Sequence, residues 1–199
     1  MKSNLVIVAH PDDETIWMGG TILANSEDKW TIISLCRKTD PDRAPKFKRV
    51  CQYYGAKSII SDLDDEVLKP LPIDYVLKFI EKLIPKPQEE YDCIYTHGAN
   101  GEYGHLRHKE SHRAVIRLFT TKKISAKKLL FFSYTPGNVP AKHDSELMIP
   151  IANPKANVHN TLSTDNLKKK LMLVKDIYGF SSDGFEASSC GQHESFDIA

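Results

Sequence analysis

LVIVAHPDDETIWMGG (residues 5–20) places an apolar run, with the length and β-branched content of a buried strand over residues 5–9, directly before one His, two Asp and one Glu. A helical pattern follows over residues 14–24, and TIISLC (31–36) repeats the strand signal, giving a β-α-β opening. Working outward, KSIISDL (57–63), DCIYTH (92–97) and KLLFFSY (128–134) read as further strands. APKFKRVCQYYGA (44–56) and IDYVLKFIEKLIPK (73–86) read as helices closed by Gly or Pro signals, and HLRHKESHRAVIRLF (105–119) as another amphipathic helix.

Strands alternating with helices predict an α/β fold, a Rossmann-like three-layer sandwich with a mostly parallel central sheet covered on both faces. The 199 residues suit one domain, with residues 1–135 as its α/β core and 136–199 as a C-terminal part of weaker pattern. In that part TPGNVPAKHDSEL (135–147) reads as loop and LMIPIANP (147–154) as a strand. STDNLKKKLMLVKDIYG (163–179) reads as a helix capped by Ser163 or Thr164, and the tail from Ser181 as irregular.

Lys and Arg number 27 against 26 Asp and Glu, a formal charge of +1, so no global field draws the chain to nucleic acid or an anionic membrane. The lysines of TTKKISAKK and LKKKL have no interleaved aromatic residues and read as solvated faces, which again argues against a nucleic-acid partner. Cys36, Cys51, Cys93 and Cys190 form no C-x-x-C pair and read as reduced thiols. No stretch approaches the ~20 apolar residues that span a bilayer. The reading is of a cytoplasmic, soluble protein without a transmembrane segment.

Three carboxylates and an imidazole in five residues repel one another unless a cation or a shared proton offsets the charge. In an open parallel sheet, ligands bind beyond the carboxyl ends of the strands, where HPDDE falls. Pro11 stiffens the turn, and His10 and Asp13 can converge as an N,O pair for a borderline metal. Asp12 would lie beside such an ion as a proton acceptor. Glu14, in the first helical turn, suits the positive end of the helix dipole and could orient an inner ligand. By itself PDDE would also serve as an acidic helix start.

HGANGEYGHLRHKESHRAV (97–115) changes that balance. Gly98, Gly101 and Gly104 form a loop permitting close backbone approach, followed by His105, His108 and His112 on one helical face. Any of the three could complete a His2Asp site, and spacing leaves the choice open. Such a site with an open position is the pattern of catalytic zinc. His97, His143, His159 and His193 read as ordinary polar residues, and Trp17 as core.

AHPDDE after the first strand, together with GEYGHLRH before a helix, resembles the LmbE-like/PIG-L superfamily of zinc-dependent N-deacetylases. The resemblance runs from the first strand through the second motif. It implies hydrolysis of the N-acetyl group of an N-acetylglucosamine-type glycoconjugate, a small-molecule partner, to acetate and a free amino sugar. It implies Zn2+ as cofactor, with Fe2+ or Co2+ accepted by some relatives, held by His10, Asp13 and His108. Asp12 would be the general base, with a protonated His105 stabilising the oxyanion and Tyr103 at the cleft mouth.

Arg43, opening RAPKFKRVCQYYGA, matches the family arginine that meets the sugar, although Lys46 stands where Glu is usual. KDIYGFSSDG (175–184) replaces the family's His-x-Ser-Gln segment. QHESF resembles the E-x-F ending of relatives and implies a nearly complete domain. His112 has no family role and reads as helix surface or, as the alternative, as a residue behind the ligands, and homo-oligomerisation is left open. Two rivals remain at this stage, a metal-dependent phosphoesterase and a non-catalytic zinc- or glycoconjugate-binding module. The first usually needs more bridging carboxylates, and the second would have lost a base or ligand that is present here.

Overall fold

The computed structural model describes residues 1–85, 90–142 and 144–199. In chain order the first part runs β1 (Ser3–Val8), α1 (Asp13–Ala24), β2 (Lys29–Ser34), α2 (Arg43–Tyr53), β3 (Lys57–Ile60), α3 (Ile73–Leu83), β4 (Glu90–Thr96), the short turn of helix α4 (Gly101–Gly104), α5 (Leu106–Thr120) and β5 (Ser125–Phe132). The remainder is β6 (Tyr134–Ala141), β7 (Asp144–Ala152), β8 (Val158–Thr161), α6 (Thr164–Met172), α7 (Phe185–Ser188) and β9 (His193–Ile198).

A seven-stranded sheet has the order β3-β2-β1-β4-β5-β9-β8, with β3 to β5 of that series parallel and β9 antiparallel to both its neighbours. Helices cover both faces, as the alternation of strand and helix patterns predicts. Successive residues of β1 point to opposite layers. Val6 and Val8 pack with Trp17, Phe47 and Phe132, while Leu5 and Ile7 pack with Ile80, Val115 and Leu118. All four are fully buried, at about 1.5–3 kcal/mol of burial free energy for each such side chain. Strand order reverses between β1 and β4, and this switch point is where an open α/β sheet leaves a crevice. The motif loops HPDDE and HGANGEYGH leave β1 and β4 at that place.

Residues 135–147, expected as loop, instead lie largely in the β6-β7 hairpin. Pro136, Pro140 and Pro150 hid it, since proline cannot donate to a ladder and is tolerated only in edge or irregular strands. The register shifts around Pro140 are consistent with that. The tail from Ser181 is not irregular throughout, for it forms α7 and then β9, inserted between β5 and β8. The helix expected over 163–179 is α6 followed by one π-helical turn, Leu173–Ile177, with Ser163 as the cap whose Oγ accepts the Asn166 N–H at 3.1 Å.

Glu194 of β9 fixes this tail to α1. Its carboxylate accepts the main-chain N–H groups of Gly20 and Thr21 at 2.8 and 2.7 Å and the Lys170 ammonium at 2.7 Å, with both charged side chains fully buried. Gly20 is required for that approach, because a Cβ there would lie 2.3 Å from the Leu162 side chain. The cysteines are all free. No helix among the described residues is long and apolar enough to cross a membrane.

Candidate metal and catalytic centre

His10 follows β1 and Asp13 opens α1, while His108 lies in the first turns of α5. The main-chain N–H of His10 donates to Asp13 Oδ2 at 2.8 Å, which closes the turn around Pro11. His10 Nδ1 is then 3.2 Å from Asp13 Oδ2 and 3.2 Å from His108 Nε2, and Asp13 Oδ2 is 3.4 Å from His108 Nε2. A tetrahedral ion with bonds near 2.0–2.1 Å spaces its ligand atoms by about 3.3 Å. The three donors therefore fit one face of such a shell.

Each donor is aimed by a partner. The indole N–H of Trp17 donates to Asp13 Oδ1 at 2.9 Å, so that side chain is core, as expected, and also orients Asp13. His10 Nε2 faces Asp65 Oδ1 at 3.2 Å, and Asp65 in turn holds the Arg37 guanidinium at 2.7 Å. His108 Nδ1 meets Glu102 Oε2 at 2.5 Å. Burial works against ionisation of His10, but Asp13 and Asp65 raise its pKa to about 9. Burial would raise Asp13, yet the neighbouring imidazoles, His108 foremost, hold it well below the usual carboxylate range. Asp65, also opposed by burial, is held down to about 2 by His10 and Arg37.

Asp12 caps α1 with φ 122° and ψ −32°, a left-handed backbone that costs a non-glycine residue about 1–3 kcal/mol. Its carbonyl accepts the Thr15 and Ile16 N–H groups at 2.8 and 2.9 Å, and its own N–H donates to Glu14 Oε2 at 3.1 Å. Glu14 thus holds the Asp12 main chain rather than a ligand side chain, contrary to the expectation from its position. Its Oε1 accepts the Thr15 and Tyr178 hydroxyls at 2.6 and 2.7 Å. The Asp12 carboxylate lines an open cleft of about 410 Å³ with Arg43 Nη1 at 3.4 Å. Burial first, and then the Asp13 charge, raise its pKa well above the ordinary value against the pull of His10 and Arg43.

The same cleft is lined by Tyr103 and His105. The ring of Tyr103 lies 4.9 Å from Phe185 and 5.3 Å from His108. The Arg43 guanidinium sits 4.3 Å over the ring of Phe180. Lys46, one helical turn on, pairs with Asp42 at 2.7 Å. The Nδ1 atom of His105 is buried with no hydrogen-bond partner among the described residues, and burial together with His108 and His10 pushes the pKa of this imidazole down to about 3. These surroundings disfavour the protonated His105 expected from the resemblance.

His112 is not helix surface. It is buried, donates through Nδ1 to the His97 carbonyl at 2.8 Å, and packs against Phe131 with ring centres 4.5 Å apart. His97, read as an ordinary polar residue, is fully buried inside the centre, with Nε2 3.4 Å from Asp13 Oδ2. That nitrogen accepts the Ala9 N–H at 2.9 Å and so is not available as a ligand. Its place at the end of the strand beside β1 was the available signal. Glu102 had one too, as the acidic residue among the glycines of the second motif. His159 and His193 are exposed, and His143 lies outside the described residues.

Convergent imidazole and carboxylate donors at the switch point of a parallel α/β sheet, with a further carboxylate on an open cleft, form the kind of centre found in metal-dependent hydrolases. The chain belongs to the PIG-L family, described as GlcNAc-PI de-N-acetylases, whose model matches residues 5–119. That membership supports an enzyme with deacetylase activity. No curated protein matches the chain.

Among solved structures, the conserved protein TT1542 from Thermus thermophilus is similar with a TM-score of 0.65 at 17% identity, covering 99% of this chain and 94% of that one. GalB, the 4-carboxy-2-hydroxymuconate hydratase from Pseudomonas putida, gives 0.61 at 14% identity, covering 95% and 83%. The A40926 pseudoaglycone deacetylase Dbv21 gives 0.63 at 14% identity, covering 89% and 82%. At these identities the likeness shows the shared fold. Since that fold carries a hydratase as well as a deacetylase, the reaction has to be argued from the site.

Proposed function

We propose that this protein is a metal-dependent amide hydrolase that removes the acetyl group from an N-acetylglucosamine-type glycoconjugate, giving acetate and a free amino sugar. The observation that carries the reading is the 3.2–3.4 Å spacing of His10 Nδ1, Asp13 Oδ2 and His108 Nε2 beside the cleft-facing carboxylate of Asp12. These three residues would hold the ion, and their mixed N,O set suits Zn2+ while admitting Fe2+ or Co2+. A divalent cation bound there supplies Lewis acidity, polarising an amide carbonyl and lowering the pKa of water.

The remaining work belongs to the chain. Asp12 accepts the proton of the attacking water, with Arg43 steadying its Oδ2. The neutral His105 ring donates a hydrogen bond where negative charge develops on the carbonyl oxygen. Asp12 then returns its proton to the leaving nitrogen. Arg43, stacked on Phe180, and Tyr103 contact the sugar at the cleft wall.

The test is free-amine release from a panel of N-acetylglucosamine conjugates, N,N′-diacetylchitobiose and N-acetylglucosamine. Chelated protein, zinc-restored protein and the Asp12→Asn variant are compared. Release that depends on zinc and disappears in the variant is the expected result. Activity that survives chelation, or a variant as active as the parent, refutes the reading.

A further inference from the structure

We propose that Glu102 is a positioning residue that fixes the tautomer and aim of His108 and, through His97, the main chain that presents His10. The proposal rests on reading the His10–Asp13–His108 triad as a metal centre. It adds what keeps the two motif loops in register with each other.

The side chain of Glu102 is fully buried, and its backbone is left-handed at φ 56° and ψ −59°, inside the turn Gly101–Gly104. That conformation turns the carboxylate back beneath the loop. Its Oε1 accepts the Gly98 N–H at 2.7 Å, and its Oε2 faces two imidazole nitrogens, His108 Nδ1 at 2.5 Å and His97 Nδ1 at 2.8 Å. An ionised carboxylate only accepts hydrogen bonds, so both imidazoles carry a proton on Nδ1.

The other nitrogens then have separate tasks. His97 Nε2 accepts the N–H of Ala9, the residue before His10. His108 Nε2 is left unprotonated toward His10 Nδ1 and Asp13 Oδ2. The two rings are stacked, with centroids 3.8 Å apart and planes 22° from parallel. One carboxylate thus sets the ligand nitrogen of the second motif and, through one imidazole, holds the strand end of the first. A carboxylate behind a ligating imidazole also strengthens it as a donor, and losing such a partner typically weakens metal affinity by about 10–100-fold.

Glu102→Gln tests this with little change of shape. A side-chain amide has one acceptor oxygen and an NH2 group that opposes an N–H donor, so the two imidazoles cannot both keep their protons on Nδ1. Zn2+ affinity is measured by competition with a chromophoric chelator in the unmodified chain, Glu102→Gln, His108→Ala and Asp12→Asn, with the thermal midpoint of each chelated protein as a check on folding. The expected result is affinity about 10–100-fold lower in Glu102→Gln, near-complete loss in His108→Ala and little change in Asp12→Asn.

Imidazole 15N NMR of the zinc-loaded, unmodified chain supplies a second readout that needs no variant to fold. It should show Nδ1–H on both His97 and His108. Parental affinity in a folded Glu102→Gln, alongside its loss in His108→Ala, overturns this proposal alone, as does a bare Nδ1 on either ring. An unmodified chain that takes up no Zn2+ overturns the metal-centre reading and this proposal with it.

Discussion

The first five strands and the C-terminal segments treat the site in opposite ways. In β1 to β5, strand ends deliver chemistry directly: β1 leads into His10, Asp12 and Asp13, and β4 into His97 and the loop carrying Glu102. Residues 134–199 contribute none of the three donors, yet they touch α1, which carries Asp13, and the cleft residues Arg43 and Tyr103. Tyr134 donates its hydroxyl to the Trp17 carbonyl at 2.6 Å, Tyr178 bonds Glu14, Glu194 grips the middle of α1, and Phe180 and Phe185 lie against Arg43 and Tyr103. On the proposed reading, one region places the reacting groups and the other braces them and shapes the wall a substrate would meet. The family model stops at residue 119, within the first region. Differences in substrate among relatives are therefore expected to follow the second.

The contrast can be broken from either side. The largest effect is expected in Asp12→Asn, where loss of a general base lowers turnover about 10²–10⁴-fold while Zn2+ remains bound. Inductively coupled plasma analysis beside the amine-release assay checks both halves, and loss of metal from this variant would put Asp12 among the ligands. Next comes Glu194→Ala, which leaves the Lys170 ammonium buried without its counter-charge. Removing one partner of such a pair costs about 3–5 kcal/mol. Urea denaturation measures it, and a change below about 1 kcal/mol would mean that the C-terminal strand does not brace α1.

A smaller effect is expected for Phe180→Ala. The stacked guanidinium contact is worth about 0.5–1 kcal/mol, so KM should rise by about 2–5-fold with kcat nearly unchanged. A fall in kcat instead would mean that Phe180 acts through the Arg43–Asp12 contact on the reaction itself. The smallest concerns Asp183, whose pKa Lys142 and Ser181 hold down to about 2. A carboxyl depressed in the folded state adds stability above its unfolded pKa near 4, and that share is lost as pH falls through about 2. Carboxyl-detected NMR should find its midpoint near 2, and at neutral pH Asp183→Asn should leave the thermal midpoint almost unmoved because the pair is exposed. A midpoint near 4 would remove the tie between the hairpin and the segment before α7.

What was legible in the sequence follows the same division. Strands buried on both faces, such as LVIV and TIISLC, announce themselves by continuous β-branched and aliphatic runs, and their carboxyl ends are where a site is expected. His10, Asp12, Asp13 and His105 could be nominated from strand ends and spacing and Tyr103 from the family resemblance, and the structure brings them to one cleft with His108 just beneath. Of the β6-β7 hairpin only the second strand was legible, in LMIPIANP, because Pro136, Gly137 and Pro140 make the first imitate a loop. Glu102, His97 and Asp65 act through partners distant in the chain, and no local periodicity encodes such pairings. His112 reads mainly as surface for want of a family role, whereas its partners are the His97 carbonyl and the Phe131 ring.

The left-handed backbone of Asp12 has a consequence for engineering. Glycine is the residue that accepts φ 122° without steric cost, and relief of about 1–3 kcal/mol outweighs the roughly 0.5–1 kcal/mol it loses through a freer unfolded chain. A library screened for heat resistance alone would therefore drift toward glycine at position 12 and enrich tougher proteins that lack the proposed base. Directed evolution of this scaffold has to select on turnover from the first round, because at this position robustness and catalysis pull in opposite directions.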